Sequence, residues 1–372
     1  MSSSLFSPFS LRKLSLANRI VVSPMCQYSA VDGCATDWHT IHWGQMLQSG
    51  AGMFTIEATA VSAVGRITPG CLGLFDDVCE RAMRERLSVA RANAPAIPVA
   101  LQLAHAGRKA SSQVPWQGGQ LITANEGGWR PLAPSAIAHL PGEPQPQVLD
   151  AAGMAQITRE FVEATARAAR IGIDAIELHM AHGYLLNAFL SPLSNRRDDG
   201  YGGTFDGRAR FPLEVFAAVR AAWPQDKPLG VRISATDWVD GGWTLDDSIA
   251  LVRRLQAAGC DWIDVSSGGI SSAQKIPVGP GYQVPLARAV RAATSMPTIA
   301  VGLITDAKQA DAIVNSGDAD LVALARAMLW DPRWPWHAAA TLGAQIEAPK
   351  PYWRSAPRDA ANVIAHAKIG MR

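Results

Sequence analysis

The sequence predicts an α/β fold, a (β/α)8 TIM barrel formed by a single domain over residues 1–372, with loop insertions above its carboxyl-terminal mouth. Two observations lead to this prediction. Eight short, nearly continuous apolar runs recur along the chain, and segments with helical periodicity and cap residues separate them. A doubly wound parallel sheet is the alternative, but the glycine fingerprint G-x-G-x-x-G, which is typical of that fold, does not occur.

The apolar runs define the predicted strands. A parallel strand that helices cover on both faces is apolar at almost every position, rather than at alternate positions. The runs that satisfy this condition are, in chain order, Ile20–Ser23, Met53–Ala60, Val99–Ala104, Ala175–Leu178, Leu229–Ser234, Trp262–Ser267, Thr298–Val301 and Leu321–Leu324.

Cap residues mark several of the intervening helices. Asp150 is a favourable N-terminal cap for a segment with apolar residues on one face, and Gly172 ends that segment. Similar signals predict two further helices, one between Thr244 and Gly259 and one from Thr305 to near Gly317.

Two segments are too long for simple connections, and both follow strand ends. Ala106–Pro146 is rich in Gly, Pro, Trp and Gln, whereas Leu186–Arg210 is rich in Arg, Asp and Gly. We expect both to lie over the mouth of the barrel as lids or subunit contacts. A tail from about Ala348, with aromatic, basic and proline residues, is expected to lie outside the core and to dock elsewhere, for example on a neighbouring subunit.

Composition and charge exclude several classes of protein. Hydrophobic residues make up 48% of the chain, and the formal charge of +2 does not indicate binding to nucleic acid or to a membrane surface. The apolar runs have the length of strands rather than membrane spans, and the first residues do not resemble a signal peptide. Five cysteines at irregular spacings fit free thiols in a reducing cytoplasm.

The stretch after the fourth predicted strand carries the most concentrated polar chemistry. His179, His182 and Tyr184 fall within six positions. In a (β/α)8 barrel the carboxyl-terminal strand ends share one mouth, where catalytic groups are found. Taken alone, these residues are also compatible with packing or with metal ligation, although neither Glu57 nor Glu177 completes a convincing ligand set.

Other strand ends indicate a ligand that combines a phosphate with a heterocycle. Gly302 and Arg326 follow the seventh and eighth strands, the usual phosphate site of this fold. Arg232 lies inside an apolar strand and needs an anion or electron-rich ring as its partner, while Gln102 offers a donor and an acceptor to an amide or imide edge. Flavin mononucleotide (FMN) satisfies all three features, whereas a phosphorylated substrate explains the phosphate site alone.

Seven stretches, taken in order, carry a family resemblance that extends over essentially the whole chain. They are Pro24–Tyr28 (PMCQY), Glu57–Ala60 (EATA), Gly65–Thr68 (GRIT), Gln102–Lys109 (QLAHAGRK), Ala133–Ala136 (APSA), His179–Tyr184 (HMAHGY) and Leu190–Arg196 (LSPLSNR). This set resembles the Old Yellow Enzyme family of FMN-dependent ene reductases, and most closely its thermophilic-like class, which includes the xenobiotic reductases.

The resemblance implies that FMN is held non-covalently at the mouth of the barrel. Cys26 would lie near the reactive nitrogen of the flavin and adjust its potential. Ala325 stands where glycine is frequent in the family, but it keeps a backbone N–H for the phosphate. The residues that the resemblance assigns to the flavin are Ser23, Pro24, Met25, Cys26, Ala60, Gln102, Arg232, Gly302, Ala325 and Arg326.

The resemblance also implies an NADPH dehydrogenase with ping-pong hydride transfer. NADPH, or NADH, would reduce FMN, which would then reduce the activated C=C bond of an α,β-unsaturated carbonyl compound. His179 and His182 would hold the carbonyl oxygen, and Tyr184 would donate a proton. Tyr28 and Lys109 would line the substrate site.

The implied assembly is a homodimer or homotetramer, in which Trp353 and Arg354 resemble a tail element that reaches a neighbour's active site. Met180 and the loop Asp199–Thr204 depart from the family pattern. Two other hypotheses stay open, namely a metal-dependent barrel hydrolase that uses the histidine pair and a flavin-binding module without catalysis.

Overall fold

The computed structural model describes residues 3–367 and contains a closed barrel of eight parallel strands. The barrel strands, numbered β1 to β8 in chain order, are Ile20–Val22, Met53–Ala60, Val99–Ala104, Ala175–Met180, Leu229–Ser234, Trp262–Ser266, Thr298–Ala300 and Leu321–Leu324. Each strand lies beside the next along the chain, and β8 closes the barrel on β1. The predicted (β/α)8 fold is confirmed. The first two residues, on which the signal-peptide argument begins, and the last five residues of the predicted tail lie outside the described range.

Helices surround the barrel and connect its strands. In chain order they are α1 (Asp37–Leu47), α2 (Asp77–Ala92), α3 (Ala151–Ile171), α4 (Leu185–Leu190), α5 (Phe205–Ala222), α6 (Leu245–Ala257), α7 (Val284–Thr294), α8 (Ala307–Asn315), α9 (Arg326–Trp330) and α10 (Trp334–Leu342). Within residues 3–367, no helix is both long and apolar enough to cross a membrane.

The predicted cap residues are mostly confirmed. The Asp150 carboxylate accepts a hydrogen bond from the Gly153 N–H at the start of α3, and Gly172 ends this helix in the left-handed conformation, with φ of 84°. The prediction that Thr305 opens α8 is wrong by one residue. Asp306 is the cap, because its carboxylate accepts from the Gln309 N–H.

A short hairpin covers the amino-terminal end of the barrel. Its strands, Phe9–Leu11 and Leu14–Leu16, pair in antiparallel fashion before the chain enters β1. Leu11 and Leu16 pack against buried side chains at or near the starts of the barrel strands, among them Trp262. This end of the barrel is therefore filled by apolar side chains, which leaves the carboxyl-terminal ends of the strands for a functional site.

The two long segments predicted to lie over the barrel mouth contain regular secondary structure. Residues 106–146 contain three 3-10 turns and the short strand Leu132–Ala133, which pairs in parallel with Gln147–Val148. The segment Leu186–Arg210 is not a continuous loop, because it includes most of α4 and the start of α5. All six side chains of α4 are buried, which explains why this apolar run folds as a helix against the barrel.

The carboxyl-terminal tail docks on its own chain. A 3-10 helix, Lys350–Ser355, places Tyr352 against Trp336 of α10, with ring centroids 6.0 Å apart. Trp353 joins the same apolar cluster and donates a hydrogen bond to the Ala348 carbonyl at 3.1 Å, whereas Arg354 is exposed. The tail helix has no buried residue and docks through its aromatic rings on α10 of the same chain, so it lies outside the barrel core as expected, while its contact with a neighbouring subunit stays a prediction.

Candidate active site

Polar side chains occupy matching positions on neighbouring strands at the carboxyl-terminal end of the barrel. His179 on β4, Arg232 on β5 and Asp264 on β6 are register partners, so all three point the same way. One step lower, Gln102 on β3 is the register partner of Glu177 on β4. The barrel thus brings together residues that are far apart in the sequence, including the predicted Gln102, His179 and Arg232.

The two histidines form a close pair at the end of β4. The Nδ1 atom of His182 lies 3.4 Å from Nε2 of His179, and the two rings are almost perpendicular at 89°. His182 adopts a left-handed backbone conformation with φ of 62°, and the Ser234 hydroxyl accepts a hydrogen bond from its N–H at 2.9 Å. On its other side, Nε2 of His182 is 2.7 Å from the hydroxyl of Ser266 at the end of β6.

Burial makes both imidazoles neutral. It lowers the pKa values of His179 and His182 well below their usual range, and the positive charges of Arg232 and Lys109 lower them further. Each ring therefore carries one N–H at neutral pH. In His179 the proton is on Nε2, because Nδ1 accepts a hydrogen bond from the Ala181 N–H at 3.3 Å.

Tyr184 and Lys109 complete the same cluster. The Tyr184 ring packs edge-on against His179 with centroids 4.8 Å apart, and burial raises the pKa of Tyr184 well above its usual range. The Lys109 ammonium lies 5.2 Å from the centre of the Tyr184 ring and donates to the His182 carbonyl at 2.9 Å. Burial lowers the pKa of Lys109 to about 8, with a further contribution from Arg108.

Two carboxylates and one guanidinium lie next to this cluster inside the barrel. Glu177 accepts hydrogen bonds from the Gln102 amide at 2.8 Å and from the Trp262 indole at 3.4 Å. Arg232 Nε lies 3.3 Å from the Asp264 carboxylate, and both residues are buried. Burial, together with the charge of Asp264, raises the pKa of Glu177 to about 7. The sequence interpretation did not identify Asp264, because only the register of β5 and β6 reveals its pairing.

A cavity of about 160 Å³ opens after β7 and β8. It brings together Arg232 and the three predicted phosphate-site residues Gly302, Ala325 and Arg326. Gly302 has φ of 121°, and a Cβ there would lie 2.8 Å from the Gln283 amide, so only glycine fits without strain. The remaining lining residues are Ser266, Tyr282, Gln283, Val301, Leu303, Ile304, Thr305, Ala323 and Ala327.

The segment after β1 holds the predicted residues Ser23 to Tyr28. Cys26 contacts Cys71, and this hydrogen bond, together with burial, raises the pKa of Cys26 well above its usual range. Tyr28 has φ of 52°, and its ring meets Trp116 edge-on with centroids 5.7 Å apart. Sequence reasoning missed Cys71, which stands in a separate loop and has no motif of its own.

A buried pair supports this segment from below. The Gln27 N–H donates to the Glu57 carboxylate at 2.8 Å, and His39 Nε2 lies 3.5 Å from the other carboxylate oxygen. All five cysteines of the chain are free thiols. Within residues 3–367, no group of three His, Cys, Asp or Glu side chains is placed to hold a metal ion.

An unpaired polar group at the mouth fits a flavin nucleotide. The Ser23 hydroxyl is buried and has no hydrogen-bond partner within residues 3–367. Such groups are costly unless a ligand satisfies them. Ala60 and Tyr184 line a further small recess, which Cys71 also lines. The single chain does not bring the predicted site residues Trp353 and Arg354 here, because Trp353 packs in the tail cluster and Arg354 is exposed next to it.

Comparison with known proteins agrees with this geometry. A family model described as the NADH:flavin oxidoreductase / NADH oxidase family matches residues 4–345. The NADPH dehydrogenase of Geobacillus thermodenitrificans is 44% identical over 356 residues, which cover 95% of this chain and 99% of that protein. An NADH:flavin oxidoreductase of Gibberella zeae is 40% identical over 364 residues, which cover 93% of this chain and 87% of that protein.

Solved structures show the same relationship. Morphinone reductase in complex with tetrahydroNAD superposes with a TM-score of 0.74 at 27% identity, and the match covers 93% of this chain and 92% of that one. A 2-naphthoyl-CoA reductase superposes with a TM-score of 0.81 at 20% identity, which shows a common fold, and this chain spans 54% of its length.

The fold and the site thus define an oxidoreductase that uses FMN and NAD(P)H on a (β/α)8 barrel. The chain belongs to the NADH:flavin oxidoreductase / NADH oxidase family, and within it to the Old Yellow Enzymes.

Proposed function

We propose that this enzyme reduces the activated C=C bond of α,β-unsaturated carbonyl compounds, with NADPH or NADH as the reductant and ping-pong transfer through non-covalent FMN. The observation that supports the proposal is the neutral pair His179 and His182, whose ring nitrogens approach to 3.4 Å beside Tyr184. Two N–H donors directed at one point suit a carbonyl oxygen on which negative charge develops, and Tyr184 is an acid next to that point.

FMN would be held by the residues that line the mouth. The main-chain N–H groups at Gly302 and Ala325, together with the Arg326 guanidinium, would bind its phosphate. Gln102 and Arg232 would bind the polar edge of the ring, and the remaining contacts would come from Ser23, Pro24, Met25, Cys26 and Ala60. When bound, FMN supplies the chemistry of accepting a hydride and passing it on.

The histidine pair would bind the carbonyl oxygen of the substrate. Because both imidazoles are neutral and buried, the N–H dipoles that face a bound oxygen would act in a water-poor site. One such donor is typically worth about 3–4 kcal/mol in the transition state. His179 presents its proton on Nε2, toward His182, where an oxygen between the two rings would accept from both.

Tyr184 would protonate the α-carbon of the substrate. Its raised pKa keeps the phenol protonated, so the proton is available as negative charge forms. Lys109 faces the same ring and holds the His182 carbonyl, which fixes the loop that carries both groups. Tyr28 would bound the substrate on the side of Cys26, and the neutral thiol of Cys26 would adjust the potential of the flavin.

A simple experiment tests the proposal. The purified protein should be yellow, NADPH should bleach it under anaerobic conditions, and cyclohexenone should restore the colour. A yellow protein that NADPH cannot bleach would indicate a binding module without catalysis. A reduced protein that cyclohexenone leaves bleached would contradict enone reduction.

The assembly and location belong to the same proposal. Trp330 of α9 is 90% exposed and Leu329 is 50% exposed, and such apolar side chains are often covered by a second subunit. We propose a homodimer or homotetramer in which Trp353 and Arg354 approach the neighbour's substrate site. Five free thiols support a reducing compartment, which we propose to be the cytoplasm.

A further inference from the structure

The hydrogen bonds around His182 leave its proton with two possible positions. Nε2 of His182 lies 2.7 Å from the Ser266 hydroxyl, and Nδ1 lies 3.4 Å from Nε2 of His179. The proton of His179 is already assigned to Nε2 by the Ala181 N–H, which occupies the other ring nitrogen. Within residues 3–367 the His182 ring has no such backbone partner, so the Ser266 hydroxyl decides which nitrogen is protonated.

Ser266 also has one proton and two acceptors for it. Besides His182, its hydroxyl reaches Oε1 of Gln283 at 3.3 Å. The Gln283 amide cannot turn freely, because its nitrogen donates to the Val301 carbonyl at 3.1 Å and its oxygen accepts from Ser267 at 2.6 Å. The Ser266 side chain is buried and lines the cavity after β7 and β8, and among the protein groups of residues 3–367 the acceptors that its hydroxyl reaches are His182 and Gln283.

Two arrangements of protons follow. In the first, Ser266 donates to Gln283 and accepts from Nε2 of His182, whose Nδ1 then accepts from His179. In the second, Ser266 donates to Nε2 of His182, and the proton of His182 lies on Nδ1. The N–H groups of both histidines then face each other, which is unfavourable unless an oxygen accepts from both.

We propose that Ser266 is a positioning residue that switches His182 between these two arrangements when a carbonyl or phenolate oxygen binds. Without a ligand, His182 is an acceptor for His179. With the oxygen in place, the Ser266 hydroxyl turns from Gln283 to His182, one proton leaves Nε2 for water, and another is taken from water at Nδ1. The imidazole stays neutral throughout. This inference rests on the proposed carbonyl role of the histidine pair.

Nitrogen NMR of the wild-type holoprotein tests the switch directly. In protein labelled with ¹⁵N-histidine, the signals of His182 are assigned by their loss in His182→Gln. We expect Nε2 to carry the proton in the free holoprotein and Nδ1 to carry it after addition of 4-hydroxybenzaldehyde, a phenol that mimics the oxyanion. The same protonated nitrogen in both samples would overturn the proposal.

Variants of the two adjacent serines test the role of the hydroxyl. Ser266→Ala should weaken 4-hydroxybenzaldehyde binding by roughly 3- to 10-fold, the size of one net hydrogen bond, and slow the enone half-reaction. Ser266→Thr keeps a hydroxyl and should restore both. Ser267→Ala is the matched control, because Ser267 bonds the same Gln283 but not His182, and it should leave the NMR response intact.

The outcomes separate this inference from the proposed function. If Ser266→Ala binds the phenol and reduces enones as the wild type does, the switch is rejected while enone reduction stands. If the wild-type holoprotein reduces no enone, the proposed function fails whatever the serine variants show, and the carbonyl switch is rejected with it.

Discussion

Tyr184 is the residue whose replacement should separate the two half-reactions. Tyr184→Phe keeps the ring that packs on His179 but removes the acidic proton. We expect the enone half-reaction to slow by roughly 10²- to 10⁴-fold, the usual contribution of a general acid, and flavin reduction by NADPH to change far less. Stopped-flow absorbance of FMN measures both steps, and equal slowing of the two would contradict the role of Tyr184.

Glu177 should make stability depend on pH in an unusual direction. Its pKa rises from an ordinary 4.5 to about 7 in the folded protein, so the folded state holds a proton that the unfolded chain releases. Stability is therefore lost as the pH rises from about 4.5 through 7. Glu177→Gln removes this charge. When the pH is raised from 5 to 8, the free energy of unfolding of the variant should therefore increase by roughly 1–3 kcal/mol relative to that of the wild type.

Urea unfolding of both holoproteins at the two pH values measures this change. Glu177→Gln also loses one acceptor for Gln102 or Trp262, but that cost is the same at each pH. Glu163→Gln on the exposed side of α3 is a matched control that removes a solvated carboxylate. A stability difference between Glu177→Gln and wild type that does not vary with pH would contradict the buried, protonated state.

Some residues of the candidate site could be predicted from the sequence, and others could not. His179, His182 and Tyr184 were predictable, because they follow one strand within six positions and form a local pattern. Ser266 was visible as a strand end, but its bond to His182 depends on the approach of β6 to β4 across the barrel. Gln283 lies at the start of α7, and nothing in its local sequence indicates that it contacts Ser266.

At the scale of elements, the loop after β6 supports the loop after β4 through glycine. Gly269 has φ of 93°, and a Cβ there would lie 2.5 Å from the Cα of His182. Gly269→Ala should therefore displace His182 and weaken phenol binding. It should also lower the free energy of unfolding by about 1–3 kcal/mol more than backbone strain alone would. Urea unfolding and a phenol titration measure the two effects.

Gly241→Ala is the matched control for this prediction. Gly241 has φ of 69°, and apart from its chain neighbours no atom of the described residues lies within 4 Å of its Cβ position, so alanine there introduces the backbone strain without the contact. If the two variants lose equal stability and bind the phenol equally well, the contact between the two loops does not position His182.

Strands were more predictable than connections for a physical reason. The barrel strands are buried on both sides, and this requirement leaves apolar runs that are easily recognised in the sequence. In the segment Leu186–Arg210, by contrast, the buried helix α4 is only six residues long, too short for a helical pattern to stand out. The start of α8 was misplaced because Thr305 and Asp306 are both suitable caps, and only the bond to Gln309 distinguishes them.

At the scale of the whole molecule, mixed oligomers test whether the tail serves a neighbour. Tyr184→Phe and Arg354→Ala should each reduce enone turnover, the second only modestly. If Arg354 acts across an interface, a subunit with intact Tyr184 receives Arg354 from a Tyr184→Phe partner. Co-expressed mixtures should then exceed the mean activity of the separate variants, whereas activity equal to that mean would indicate that Arg354 acts within its own chain or not at all.

The hairpin that fills the amino-terminal end of the barrel has a kinetic consequence. Because Leu11 and Leu16 seal that end, every molecule that reaches the candidate site enters through one opening. In the proposed ping-pong scheme the dinucleotide and the enone use this opening in turn, so we expect each to exclude the other. A high concentration of enone should inhibit competitively with respect to NADPH, and double-reciprocal plots at several fixed enone concentrations should be parallel when neither compound is in excess.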